Sequence, residues 1–104
     1  MSEIEARQKL KELGFSREKI DKISIFKDIV LEFNKNYNVI SKNTEKQIWI
    51  RHILDSAQII KFINFDRSAS LADLGTGAGF PGIILSIYNN NVSFHVKLYE
   101  KSKI

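Results

Sequence analysis

The sequence predicts an α/β fold, with a helical N-terminal cap over residues 1–68 and a strand–helix–strand unit over residues 69–104. Before residue 68, apolar residues recur every three or four positions, which is typical of helices with one buried face. After residue 68, a short apolar segment, a glycine-rich segment and an alternating segment follow one another. With 104 residues, of which 43% are hydrophobic, the chain is expected to form one domain.

Composition excludes several classes of protein. No apolar run approaches the ~18 residues of a membrane-spanning helix, and the acidic N-terminus lacks the apolar core of a secretory signal. The absence of cysteine removes disulfides, thiol nucleophiles and thiolate metal sites, and the chain has only two histidines, His52 and His95. We therefore expect a cytoplasmic domain with no metal centre and no membrane partner.

The net charge of +4 is concentrated in one part of the chain. Between Lys35 and Arg51, four cations accompany a single anion, Glu45. Such a stretch fits an RNA-facing surface, and it fits a solvated helix flank equally well. The charge excess therefore permits a nucleic-acid partner without requiring one.

Three helices are predicted in the N-terminal cap. The first covers about residues 3–13 and ends before Gly14, and the second follows Ser16 as its N-cap. The third is expected to begin at Thr44, with Gln47 completing a capping box, and to run to about Phe62. The predicted inward positions of the second helix are Ile20, Ile23, Phe26, Val30, Phe33 and Tyr37. Those of the third helix are Ile50, Ile53, Leu54, Ala57 and Ile60.

The C-terminal part is predicted to form the first βαβ unit of a Rossmann-like sheet. A strand over 70–74 leads into a glycine-rich segment over 75–82, in which Pro81 suits the first turn of a helix. Asn89–Asn91 ends that helix, and a second strand follows over 94–99. Two parallel strands cannot bury both of their faces or remove their edges. The sheet is therefore expected to be incomplete.

The glycine-rich segment predicts a site for a nucleoside-containing ligand. Gly75, Gly77 and Gly79 allow a sharp turn and a close backbone approach without a clash at Cβ. Glu100 ends the second predicted strand, where nucleotide-binding βαβ units carry an acid that binds ribose. Phe80 is expected either to pack beneath the loop or to contact the ligand.

Two ligands fit this segment. Gly77, Gly79 and Gly82 match the dinucleotide fingerprint, which would indicate a binding module of an oxidoreductase. That alignment leaves Asp73 unexplained, because a carboxylate at the strand end would repel a pyrophosphate. The same carboxylate would attract the ammonium and sulfonium groups of S-adenosylmethionine, which carries no phosphate, although it could also cap the following turn. We favour S-adenosylmethionine and keep the dinucleotide module as the alternative.

The segment Arg51-His-Ile-Leu-Asp-Ser56, followed by Asp73-Leu-Gly-Thr-Gly-Ala-Gly-Phe-Pro-Gly82, resembles the GidB (RsmG) family of bacterial ribosomal RNA methyltransferases. The resemblance implies a class I enzyme that transfers a methyl group from S-adenosylmethionine to N7 of a guanine in 16S ribosomal RNA. It also implies cofactor contacts at Gly75, Phe80 and Glu100, with Gly77 and Gly79 shaping the loop. Family members are longer, so this chain is expected to be a fragment or the product of an interrupted gene, inactive as it stands.

No catalytic residue is predicted for this reaction. Guanine N7 has a free lone pair and no proton to lose, so its attack on a methyl group requires no general base. RNA contacts are expected at Lys42, Lys46, Arg51 and His52. The alternatives are an ion pair between Arg51 and Asp55, four residues apart on a helix, and a structural role for His52.

Overall fold

The computed structural model describes residues 2–66, 69–74, 80 and 82–99, with the backbone alone at 69, 71–74, 98 and 99. The predicted order of a helical region followed by strand, helix and strand is confirmed. In chain order the elements are α1 (Glu3–Glu12), α2 (Arg17–Tyr37), α3 (Lys42–Glu45), a π-helix (Trp49–Leu54), α4 (Asp55–Ala57), a 3-10 helix (Gln58–Phe62), β1 (Ala69–Leu74), α5 (Gly82–Tyr88) and β2 (Phe94–Tyr99).

Local sequence signals explain how the first two helices begin and end. Ser2 caps α1 by accepting a hydrogen bond from the Glu5 amide at 3.2 Å, and the Glu5 carboxylate accepts one from the Ser2 amide at 3.3 Å. Gly14 follows α1 with a φ of 107°, a left-handed conformation that favours glycine. Ser16 then caps α2 by accepting from the Lys19 amide. The predicted roles of Gly14 and Ser16 are confirmed.

The buried face of α2 departs from the prediction near its C-terminal end. The side chains of Phe33 and Tyr37 are 42% and 54% exposed, so their predicted inward positions are wrong. Asn34 is fully buried in their place. Its carbonyl accepts a hydrogen bond from the Ile40 amide at 2.9 Å, and its amide group donates to the Glu45 carboxylate. Asn34 therefore faces inward in place of Phe33 and Tyr37, because its side chain closes the turn that follows α2.

The same turn makes the predicted start of the third helix wrong. The N-cap lies three residues before the predicted one, at Ser41, whose side chain accepts from the Asn43 amide, and α3 begins at Lys42. Thr44 lies inside α3, where its hydroxyl donates to the Ser41 carbonyl at 2.9 Å and its main-chain carbonyl accepts from the Gln47 amide, so Thr44 is not an N-cap. Gln47 accepts from the Arg51 side chain and completes no capping box. Asn34 fixes the Ile40 amide, which brings the chain into a helical turn at Ser41.

The π-helix, α4 and the 3-10 helix follow one another without a break, and we call them together the composite helix. Hydrogen bonds from residue i to i+5 place residues that are five apart on one face of a π-helix. Trp49 and Leu54 are both buried, whereas a regular α-helix would direct them to different faces. Of the inward residues predicted here, Ile53, Leu54, Ala57 and Ile60 are buried and Ile50 is partly buried.

The two strands lie side by side and parallel. Their register runs from Ala69 opposite Phe94 to Leu74 opposite Tyr99. β2 has the predicted bounds, and β1 begins one residue before the predicted start. α5 packs against α2, α4 and β2, with Ile84 and Leu85 buried. Within the described ranges, no helix is long and apolar enough to cross a membrane.

Candidate functional site

The carboxyl ends of β1 and β2 define the candidate site. Asp73 lies opposite Leu98, and Leu74 lies opposite Tyr99, so both strands end at the same edge of the sheet. In the sequence, Gly75 follows the first of these ends and Glu100 follows the second. The side chain of Asp73, together with Gly75, Gly77, Gly79 and Glu100, lies outside the described residues. The structure therefore brings together the backbone positions from which these predicted residues continue.

Phe80 is the predicted loop residue whose side chain the structure describes. Its ring stacks on that of His52, with 5.4 Å between the ring centroids and an interplanar angle of 27°. The edge of a second ring, Phe26, approaches it with centroids 5.2 Å apart and an angle of 61°. Phe80 is partly buried and packs against the hydrophobic core. It therefore packs as expected for an anchor, while its contact with a ligand stays a prediction.

Hydrogen bonds determine how the His52 ring is held. The Nε2 atom of His52 lies 2.8 Å from the Thr44 hydroxyl oxygen, whose single proton points to the Ser41 carbonyl. Nε2 must therefore carry the proton in the hydrogen bond between the two side chains, which leaves Nδ1 as an acceptor in the neutral ring. Burial lowers the pKa of His52, while the nearby Asp55 carboxylate opposes that shift. His52 thus stacks on Phe80 as an uncharged ring at neutral pH.

The sequence did not associate Phe26 or Thr44 with the site. Phe26 was predicted to be one of several inward residues of α2, and nothing in its spacing distinguished it from its neighbours. Thr44 was interpreted as a helix cap, a role that would have occupied its hydroxyl oxygen. Its eight-residue separation from His52 gives no contact on a single helix, so the pair depends on the turn between α3 and the composite helix.

All four cations of the basic stretch are exposed, and one of them forms an ion pair with a described residue. Lys35 forms an ion pair with Glu32 at 2.9 Å. Lys42, Lys46 and Arg51 are exposed, and no ion pair of the described residues includes them.

The alternative pairing of Arg51 with Asp55 is wrong for the described structure. The Nε atom of Arg51 instead donates to the Gln47 carbonyl oxygen at 3.3 Å. Arg51 and Asp55 lie where the π-helix passes into α4, and the wider turn takes residues four apart out of alignment. The described residues also contain no group of three potential metal ligands among histidine, aspartate and glutamate side chains.

Comparisons with known proteins relate this chain to one family. A family profile described as GidB, rRNA small subunit methyltransferase G, matches residues 19–103. The chain is 56% identical over 70 residues to a ribosomal RNA small subunit methyltransferase G of Rickettsia bellii, covering 67% of this chain and 36% of that protein. For the protein of the same name in Rickettsia akari, the identity is 50% over 72 residues, covering 69% and 37%.

The chain thus spans little more than a third of the length of the curated relatives it matches. The matched family segment nevertheless includes most of α2, the composite helix, β1, α5 and β2. It also contains the three contacting residues Phe26, His52 and Phe80. Since the family profile covers well over half of the sequence, the chain belongs to the GidB family, rRNA small subunit methyltransferase G.

Proposed function

We propose that this chain carries the cofactor-binding part of an S-adenosylmethionine-dependent methyltransferase that acts on N7 of a guanine in 16S ribosomal RNA. The family supports a methyltransferase that acts on small-subunit ribosomal RNA, and it gives no support to the dinucleotide alternative. The observation that carries the proposal is the parallel register of β1 and β2. It makes the glycine-rich segment and the segment that begins at Glu100 start from one edge of a sheet, which is where open α/β sheets bind ligands.

The residues at this edge fit the cofactor chemically. Asp73 supplies a carboxylate for the ammonium and sulfonium groups, and Glu100 supplies one for the ribose hydroxyls. Gly75, Gly77 and Gly79 let the backbone approach the ligand closely. Since a pyrophosphate would meet repulsion at Asp73, the same donor set disfavours a dinucleotide. We also propose that β1 and β2 belong to the sheet of a Rossmann-like domain.

The bound cofactor would supply an electrophilic methyl group. Guanine N7 needs no deprotonation, so we assign no catalytic residue, and the protein acts by holding its two ligands in line. Such positioning contributes on the order of 7–11 kcal/mol in well-oriented systems. Phe80 and the glycine segment would hold one ligand, and the RNA would be held elsewhere on the surface. The reaction is expected in the cytoplasm, a location that stays a prediction.

We further propose that Lys42, Lys46 and Arg51 contact RNA phosphates. They are exposed: Lys42 lies on α3, Lys46 is its C-cap and Arg51 lies on the composite helix, close in sequence to Thr44 and His52, which lead to Phe80. Phosphate contacts of this kind release counterions and make binding dependent on salt. A contact between His52 and RNA stays a prediction. In the described structure, the His52 ring faces Phe80.

Calorimetry tests the cofactor proposal directly. S-adenosylhomocysteine should bind the chain and NAD should not, and Asp73→Asn should weaken S-adenosylhomocysteine binding by about tenfold, because it removes the charge that faces the ligand's ammonium. Binding of NAD alone would replace the methyltransferase with the dinucleotide module. Binding of neither ligand would contradict a cofactor site in this chain.

A salt titration tests the RNA surface. Replacing Lys42, Lys46 and Arg51 together by alanine should reduce the slope of log affinity against log salt for 16S ribosomal RNA by about 2. Lys35→Ala is the matched control, because its charge is already paired with Glu32 and its loss should barely change the slope. Equal slopes for the triple variant and the wild type would remove these residues from the RNA surface.

A further inference from the structure

Phe80 connects two parts of the chain that are far apart in sequence. It directly follows Gly79 of the glycine-rich segment and precedes α5 by two residues. Among the described residues, its two aromatic contacts come from the helical region, His52 from the composite helix and Phe26 from α2. A residue at the end of the proposed cofactor loop is therefore held by side chains outside that loop.

A series of contacts fixes the His52 ring before it meets Phe80. The Thr44 hydroxyl receives the Nε2 proton of His52 and gives its own proton to the Ser41 carbonyl. The Ser56 hydroxyl donates to the His52 main-chain carbonyl, which is within the π-helix. With its backbone and its Nε2 atom both engaged, the ring has little freedom to turn away from Phe80.

We propose that His52 is a positioning residue for the cofactor: by ring stacking it holds Phe80, itself a proposed cofactor contact, in place. This inference rests on the proposed S-adenosylmethionine site. His52 is not assigned a proton-transfer step, since guanine N7 has no proton to lose. Thr44 acts one step further away, because it orients the ring that holds Phe80.

The flat ring and its orientation contribute in different ways, which makes the role testable. Stacking requires any planar ring at position 52, whereas orientation requires the hydrogen bond from Nε2 to Thr44. His52→Ala removes both contributions, His52→Phe keeps the ring alone, and Thr44→Val keeps the ring but removes its hydrogen-bond partner. A purely structural role for His52 would lower stability in these variants without separating their ligand affinities.

The experiment measures the Kd of S-adenosylhomocysteine by calorimetry and the urea midpoint for the same chains. His52→Ala should weaken binding by about tenfold, which corresponds to about 1.4 kcal/mol. His52→Phe should restore affinity to within about threefold of the wild type, and Thr44→Val should fall between the two. Phe33→Leu is the control, because it breaks an exposed ring pair with Tyr37 at 4.4 Å, away from Phe80, and should leave Kd unchanged.

Each outcome decides between the two proposals. If the wild-type chain does not bind S-adenosylhomocysteine, the proposed function fails, and this inference fails with it. If the wild type binds and His52→Ala binds equally well, the inference alone is overturned. It is also overturned if His52→Phe, while folded, binds as weakly as His52→Ala. Should His52→Ala not fold, the comparison of His52→Phe and Thr44→Val with the wild type still decides, since wild-type affinity in Thr44→Val would contradict an oriented ring.

Discussion

The two ends of the parallel strands are held in different ways. At the amino end, Asn89 donates to the Phe94 carbonyl at 2.8 Å and to the Asn91 carbonyl at 3.1 Å, and Asn91 donates to the Phe65 carbonyl at 2.9 Å. At the carboxyl end, ring contacts from the helical region hold Phe80. The amino end is thus held by side-chain amides that donate to main-chain carbonyls, whereas the described contacts of Phe80 at the carboxyl end join aromatic rings.

The hollow at the amino end of the strands is not the proposed ligand site. A hollow of about 470 Å³ lies at the amino end, lined by Gly14, Asn64, Tyr88 and the asparagines of 89–91 among others. Its asparagine side chains largely serve the turns that precede β2, so this hollow is a consequence of loop closure. The proposed ligand edge lies at the other end of the strands. Substitutions at the two ends should therefore change different properties.

The largest effect is expected from Asn34→Ala, which acts on the support of the carboxyl end. The substitution removes the buried partner of both the Ile40 amide and the Glu45 carboxylate. We expect the free energy of unfolding to fall by about 2–3 kcal/mol, because the buried Ile40 amide loses its acceptor. Urea unfolding measures this, and the exposed neighbour Asn36→Ala should stay within about 0.5 kcal/mol of the wild type.

A somewhat smaller loss is expected from Asn89→Ala at the amino end. Its amide group donates two hydrogen bonds, and its carbonyl oxygen accepts a third from the Asn91 amide at 3.0 Å. The free energy of unfolding should fall by about 2 kcal/mol, while the affinity for S-adenosylhomocysteine should not change. Asn90→Ala, at an exposed position in the same loop, is the control. A weakened affinity in Asn89→Ala would contradict the functional separation of the two ends.

Ser41→Ala should have a moderate effect on the support of the carboxyl end. The side chain caps α3 by accepting from the Asn43 amide at 3.2 Å. Its loss should lower the free energy of unfolding by about 1 kcal/mol. Because the Ser41 carbonyl remains to accept from Thr44, the orientation of His52 should persist. Affinity for S-adenosylhomocysteine close to that of the wild type would support this distinction, and a loss as large as that of His52→Ala would contradict it.

The smallest difference is expected from pH. Burial lowers the pKa of His52 below its ordinary value of 6.5, with Asp55 opposing the shift. The folded state therefore binds this proton less readily than the unfolded chain does. Stability from His52 is present above pH 6.5 and declines as the pH falls towards the lower pKa of the folded state. Urea midpoints at pH 7 and pH 5.5 should differ more for the wild type than for His52→Phe. An equal difference in the two proteins would contradict the lowered pKa of His52.

Local signals in the sequence were sufficient for much of the fold. Gly14, Ser16 and the alternation in β2 act over a few residues, and the structure confirms each of them. The errors arise where tertiary contacts decide. Asn34 is buried because it closes a turn six residues long, and helical spacing alone favoured Phe33 at that face. The capping box predicted at Thr44 likewise competed with an earlier turn at Ser41.

The candidate site was only partly accessible from sequence. The glycine-rich segment and its acids follow a familiar local order, so their chemistry could be inferred from the sequence alone. The contact between His52 and Phe80 could not, because 28 positions separate the two residues and no local pattern joins them. A π-helix at Trp49–Leu54 also changes which neighbours face each other, and helical spacing of 3.6 residues does not predict it.

Chemical-shift mapping by nuclear magnetic resonance tests the central claim most directly, because it compares both ends of the strands in one titration. Saturating S-adenosylhomocysteine should move the ring resonances of Phe80 and His52 and leave those of Phe65 and the side-chain amides of Asn89 and Asn91 nearly unchanged. Shifts confined to the Phe65 and asparagine end, or no shifts at either end, would contradict a cofactor site at the carboxyl edge.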